Sequence, residues 1–71
     1  MAEDVLAPLA GKVLSLAVAV GDRLDEDDEV LVLEAMKMET VVYAPREGTV
    51  VDIAVKVGDQ VEEDDRLVVI A

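Results

Sequence analysis

Adding 37 to a residue number carries one half of this chain onto the other. Val5-Leu6-Ala7-Pro8 becomes Val42-Tyr43-Ala44-Pro45, Gly11 becomes Gly48, and Val20-Gly21-Asp22 becomes Val57-Gly58-Asp59. Asp27-Asp28 becomes Asp64-Asp65, and Val30-Leu31-Val32-Leu33 becomes Leu67-Val68-Val69-Ile70. The register runs without a gap from Val5/Val42 to Leu33/Ile70, and about half of the paired positions are identical. Two copies are too few for a solenoid, which must stack several repeats to bury a core. The half-repeats 5–33 and 42–70 are expected instead to form one domain, residues 1–71, about a pseudo-twofold axis. Under that axis Met1 is the mate of Met38, and Ala71 is the mate of Glu34. The place equivalent to Lys37 then falls just beyond both chain ends. Lys37 is therefore expected at one end of the domain and the two termini at the other.

The polarity pattern inside each half has a period of two. Leu14, Leu16, Val18 and Val20 alternate with Ser15, Ala17 and Ala19. In the second half Val51, Ile53, Val55 and Val57 alternate with Asp52, Ala54 and Lys56. A helix would scatter these sets around its circumference, so both stretches read as half-buried strands. Asp4 to Ala7 reads as a short strand stopped by Pro8, and Gly21-Asp22 and Gly58-Asp59 are turn signals. Leu24 and Val61, isolated among acids, are short strands or single anchoring side chains. Val30 to Leu33 and Leu67 to Ile70 are continuous apolar strands. The expected fold is all-β, a flattened antiparallel barrel or sandwich of two four-stranded sheets without a helix. Its core is Val, Leu and Ile, which suit pleated sheets and have few rotamers to lose.

Composition excludes several functions. The 71 residues contain neither cysteine nor histidine. That leaves no disulfide, no thiolate metal site and no imidazole base. Ser15, the one serine, has no base to activate it, so the chain is not expected to be an enzyme by itself. A net charge of −11 repels a phosphate backbone, which argues against nucleic-acid binding, and favours a monomer. The longest nearly apolar run, Val13 to Val20, is far short of the roughly 20 residues a membrane span needs. The acidic opening Met1-Ala2-Glu3-Asp4 is unlike the basic start of a signal peptide, and a cytoplasmic location is expected. The clusters Asp25 to Glu29 and Glu62 to Asp65 lack the spaced ligands and central glycine of a calcium loop. They read as solvated turns, with no metal site.

One stretch occurs only once: Glu34-Ala35-Met36-Lys37-Met38-Glu39-Thr40. The twofold places it in a hairpin from Val30–Ala35 to Glu39–Tyr43, with Met36-Lys37-Met38 at the tip. A lone lysine on a tip is usually a solubilising charge. This one lies where the repeat breaks and has a methionine on each side, an apolar and adaptable residue that otherwise belongs in a core. Glu34 and Glu39 flank that group symmetrically. Such a tip is suited to being read by another protein.

The heptapeptide resembles the biotin-attachment motif of biotinyl carrier domains. The resemblance extends over the chain through Ala7-Pro8-Leu9-Ala10-Gly11, Ala44-Pro45-Arg46-Glu47-Gly48-Thr49-Val50 and the paired Val-Gly-Asp turns. It implies that Lys37 is joined through an amide to the valerate side chain of biotin, with Glu34, Ala35, Met36, Met38 and Glu39 serving recognition. It also implies three partners: a biotin–protein ligase, a biotin carboxylase and a carboxyltransferase, between which the biotin arm carries carboxyl groups. A lysine amine is almost wholly protonated at neutral pH and does not capture biotin unaided, so the ligase must present an acyl-adenylate.

Lipoyl domains share the Gly-Asp and Ala-Pro-x-x-Gly elements and the two-sheet fold, but usually place Asp-Lys-Ala at the tip. A lipoyl carrier of a 2-oxo-acid dehydrogenase is thus the second reading, and an unmodified adaptor with the same fold is the third. Asp27 and Asp64 stand where many relatives have glycine, and aspartate tolerates positive φ better than most residues. The chain has no room for the extra "thumb" of some acetyl-CoA carboxylase carriers. Met38-Glu39-Thr40-Val41-Val42 is more similar to the carriers of pyruvate carboxylase, transcarboxylase and oxaloacetate decarboxylase.

Overall fold

The computed structural model describes residues 2–71, so the expected match of Met1 with Met38 lies outside the described residues. Eight strands and no helix are found among them. The strands are β1 (Glu3–Leu6), β2 (Gly11–Leu16), β3 (Arg23–Leu24), β4 (Glu29–Ala35), β5 (Met38–Tyr43), β6 (Gly48–Ile53), β7 (Gln60–Val61) and β8 (Arg66–Ile70). They form two four-stranded sheets, ordered β1-β8-β6-β3 and β5-β4-β2-β7, with every pairing antiparallel. The repeat converts β1 to β5, β2 to β6, β3 to β7 and β4 to β8. Applied to the first sheet order, that exchange generates the second.

The symmetry reaches individual hydrogen bonds. Ala7 N–H donates to Asp65 O at 2.8 Å, and its mate Ala44 N–H donates to Asp28 O at 2.8 Å. Gly21 N–H reaches Val50 O at 2.7 Å, and Gly58 N–H reaches Val13 O at 2.8 Å. Each of these bonds joins one half of the sequence to the other. Neither half can complete its backbone pairing without its counterpart, and a buried backbone group left unpaired is costly.

The core is the space between the sheets. Val13, Leu31, Leu33, Val50, Val68 and Ile70 are completely buried, each burial contributing about 1.5–3 kcal/mol. Leu24 and Val61 sit in two-residue strands and are buried, so these isolated apolar residues are both strand and anchor.

The alternating stretches depart from expectation in one respect. The regular strands end at Leu16 and Ile53, and Val20 and Val57 are 61% and 60% exposed. Register shifts between Val13 and Ser15, and between Val50 and Asp52, place an extra residue at Leu14 and Val51. A bulge of this kind reverses which alternate residues face inward. Val13 and Val50 therefore enter the core in place of Leu14 and Val51.

The short connection from Leu6 to Gly11 defines the two ends of the molecule. Leu6 pairs with Arg66 at the start of β8, and Gly11 packs on Glu34 and Ala35 at the end of β4. The start of β8 thus shares an end with the tip of β4. The opposite end holds Glu3 beside Ile70, and Ala71 hydrogen-bonded to Thr49. There Arg46 replaces its repeat mate Leu9. Its Nε donates to Glu3 Oε1 at 3.1 Å, its Nη1 to Glu47 O at 2.8 Å and its Nη2 to Ile70 O at 3.3 Å.

Candidate functional site

Strands β4 and β5 pair in register from the core outward: Leu33 with Thr40, Glu34 with Glu39, and Ala35 with Met38. That last pair leaves only Met36 and Lys37 to turn the chain, so Met38 is the first residue of β5 and not part of the tip. A two-residue hairpin loop matches the twist of its strands when both residues have positive φ. Met36 has φ 53° and Lys37 has φ 65°. Neither is glycine, asparagine or aspartate, the residues that adopt this conformation at least cost. Each side chain in the left-handed region costs about 1 kcal/mol or more. The register of β4 and β5 maintains that conformation from below.

The expected site residues come together on this hairpin. Leu33 is buried, Ala35 is half-buried, and Glu34, Lys37 and Glu39 are exposed. Met36 is 94% exposed and Met38 70%. Among the described residues, no ion pair holds Lys37; the salt bridges join Arg23 to Glu47, Arg46 to Glu3 and Arg66 to Asp4. The amine is free to meet a visiting group.

Two further residues support the base of the hairpin. Lys12 pairs with Glu34 on one side and with Gln60 on the other, so Glu39, Glu34, Lys12 and Gln60 form one row across the sheet. All four are exposed. A Cβ on Gly11 would lie 2.7 Å from Glu34 O, so the lack of a side chain lets β2 approach the end of β4. The recurrence of Gly11 as Gly48 in the sequence is the signal of such a structural demand.

The acidic clusters are built into turns at other places. Asp28 Oδ2 accepts from Asp25 N–H at 2.8 Å, and Asp65 Oδ2 accepts from Glu62 N–H at 2.8 Å. Asp22 and Asp59 cap the preceding turns in the same way, accepting from Ala19 N–H at 2.9 Å and Lys56 N–H at 3.0 Å. A carboxylate that replaces a backbone acceptor inside its own turn is a structural device.

What remains is an exposed lysine on a rigid finger, flanked by bare thioethers. Residues 3–70 match the family described as biotin-requiring enzymes. The chain belongs to that family.

Relatives of this biotinyl domain carry similar names. It is 50% identical over 42 residues to the biotinylated protein TB7.3 of Mycobacterium tuberculosis, a match covering 59% of each chain. It is 46% identical over 41 residues to the gamma subunit of methylmalonyl-CoA decarboxylase from Veillonella parvula, covering 58% of this chain and 32% of that subunit. The matches therefore span only part of these proteins. In three dimensions the biotinyl domain is similar to part of the Kluyveromyces lactis urea carboxylase, with a TM-score of 0.93 and 39% identity. That likeness covers 100% of this chain and 6% of the carboxylase. The expected two-sheet fold and the expected family are both found.

Proposed function

We propose that the domain is a biotin carboxyl carrier, with biotin amide-linked to Lys37 Nζ. The observation that carries this reading is the two-residue turn in which Lys37 stands, exposed and outside any ion pair among the described residues. The end of the domain fits the group: an open tip accommodates a long flexible arm, and no wall obstructs it. Bound biotin supplies a ureido ring that takes up and gives up a carboxyl group.

The chain's own residues do the rest. Lys37 Nζ attacks the acyl carbon of an activated biotin presented by a biotin–protein ligase, and the adenylate leaves. The amide that forms is neutral. Glu34, Ala35, Met36, Met38 and Glu39 present the lysine for recognition. Paired strands fix the origin of the arm, so tethering raises its effective concentration at two separate sites, a biotin carboxylase and a carboxyltransferase. The domain supplies no catalytic group, and we place it in the cytoplasm.

Feeding cells that express the chain with labelled biotin or labelled lipoate tests the assignment. Biotin label alone is expected. Label from lipoate alone supports the lipoyl carrier, and a folded protein that gains no mass when co-expressed with a biotin ligase supports the unmodified adaptor.

A further inference from the structure

The chain has no cysteine and no tryptophan, and three methionines. Met1 lies outside the described residues. The other two thioethers are Met36 and Met38, one on each side of Lys37, and they are 94% and 70% exposed. Among the described residues, the soft, oxidisable sulfur is thus concentrated within one residue of Lys37. A core methionine is shielded from solvent oxidants, but these two are not. Met36 is also held at φ 53°, on the outside of a tight turn, so no local rotation of the backbone withdraws it.

We propose that Met36 and Met38 are a peroxide-sensitive modification site that controls whether Lys37 can be loaded. The inference rests on the carrier reading above. A thioether lone pair attacks one oxygen of hydrogen peroxide, an S–O bond forms and the O–O bond breaks. The departing hydroxide takes the proton from the new S–OH group and leaves as water, so the sulfur is left as the neutral sulfoxide. Sulfur is oxidised by two electrons and peroxide is reduced by two. The product replaces an apolar, flexible side chain with a polar and chiral one, and sulfoxide reductases reverse it.

The consequence follows from adjacency. An enzyme that brings the Lys37 amine to its acyl donor covers the neighbouring side chains as well. Each sulfoxide oxygen must then lose water or find a donor at a surface shaped for a thioether. One poorly compensated polar group slows productive docking by roughly ten-fold. Met36 is oxidised before Met38 because it is the more exposed of the two.

A single-pot competition tests this. The apo-domain is oxidised to half-completion with hydrogen peroxide, then partly loaded with biotin by a biotin–protein ligase and ATP. Loaded and unloaded molecules are separated on avidin, and peptide mapping locates the added oxygen. The loaded pool is expected to be depleted about ten-fold in sulfoxide at Met36 or Met38. Sulfoxide at Met1 is expected in equal amounts in both pools, and sulfoxide reductase is expected to restore loading of the slow pool. Equal distribution of the tip sulfoxides between the two pools overturns the inference. If the untreated domain takes no biotin, the carrier reading itself fails and the inference falls with it.

Discussion

Asp27 and Asp64, related by the internal repeat, have φ of 71° and 70°. The two turns share the same tripeptide, Glu26-Asp27-Asp28 and Glu63-Asp64-Asp65, and differ only in their flanks, Asp25 and Glu29 against Glu62 and Arg66. Each turn carries the chain from one sheet to the other, β3 to β4 and β7 to β8, with its aspartate in the left-handed region. A left-handed backbone costs an ordinary L-residue about 1–2 kcal/mol, which glycine avoids, although glycine has more freedom to lose on folding. Asp27→Gly and Asp64→Gly are each expected to stabilise the domain by about 0.5 kcal/mol in urea unfolding. Neither lies on the hairpin, so biotin loading is expected to be unchanged.

Gly11 and Gly48 make the opposite prediction. A Cβ on Gly11 meets Glu34 O at 2.7 Å, and one on Gly48 meets Ala71 O at 2.7 Å and the buried Cγ2 of Ile70. Backbone oxygens cannot move aside without disturbing a strand. Gly11→Ala and Gly48→Ala are each expected to destabilise by about 1–3 kcal/mol, the usual cost of overpacking. Their functional effects are expected to diverge, because Gly11 adjoins the base of the Lys37 hairpin and Gly48 the other end. Biotin loading per folded molecule is expected to fall for Gly11→Ala and to hold for Gly48→Ala. Equal loading by both would show that the end of β4 is not what positions Lys37.

The repeat makes much of this arrangement legible in the sequence. It implied the two equivalent sheets, the unique hairpin and the separation of Lys37 from the termini, because symmetric sequence needs a symmetric set of pairings. The inward face of β2 and β6 was not legible. Leu14 and Val13 are both apolar, and only the bulge decides which of them enters the core. The length of the tip was hidden for a similar reason. Met38 is chemically a tip residue, exposed and apolar, but its backbone pairs with Ala35. The bonding role of Arg46 was not legible either, since its partners Glu3 and Ile70 O are brought to it only by folding.

Met36 has a conformation that its side chain does not favour, and the cost falls at the tip that we propose is read by other proteins. Met36→Gly removes the strain at φ 53°. It is expected to raise stability by about 0.5–1 kcal/mol, or on the order of 4 °C in melting temperature for a domain of this size. It also deletes an exposed thioether from the recognised surface, so ligase-catalysed loading is expected to slow. Stability and loading should therefore move in opposite directions, measured by thermal unfolding and by initial rates of biotin incorporation. A variant that is both more stable and equally well loaded would indicate that Met36 only closes the turn.

Lys37 is distinguished from the other lysines by backbone geometry and not by charge. Lys12 is the second residue of β2, paired with Glu34 and Gln60 on either side, and Lys56 precedes the Gly58 turn with its N–H bonded to Asp59. Neither stands at the apex of a hairpin, so neither offers its amine on a projecting arm. Lys37→Arg keeps the positive charge and the turn but replaces the nucleophilic amine with a guanidinium that remains protonated. Loss of all biotin incorporation is expected for Lys37→Arg, with an unchanged unfolding midpoint. Lys12→Arg and Lys56→Arg are expected to load at the parental rate. The check is intact mass after incubation with ligase, biotin and ATP. Biotin retained on Lys37→Arg, located by peptide mapping at Lys12 or Lys56, would move the attachment point and with it the whole account of the hairpin.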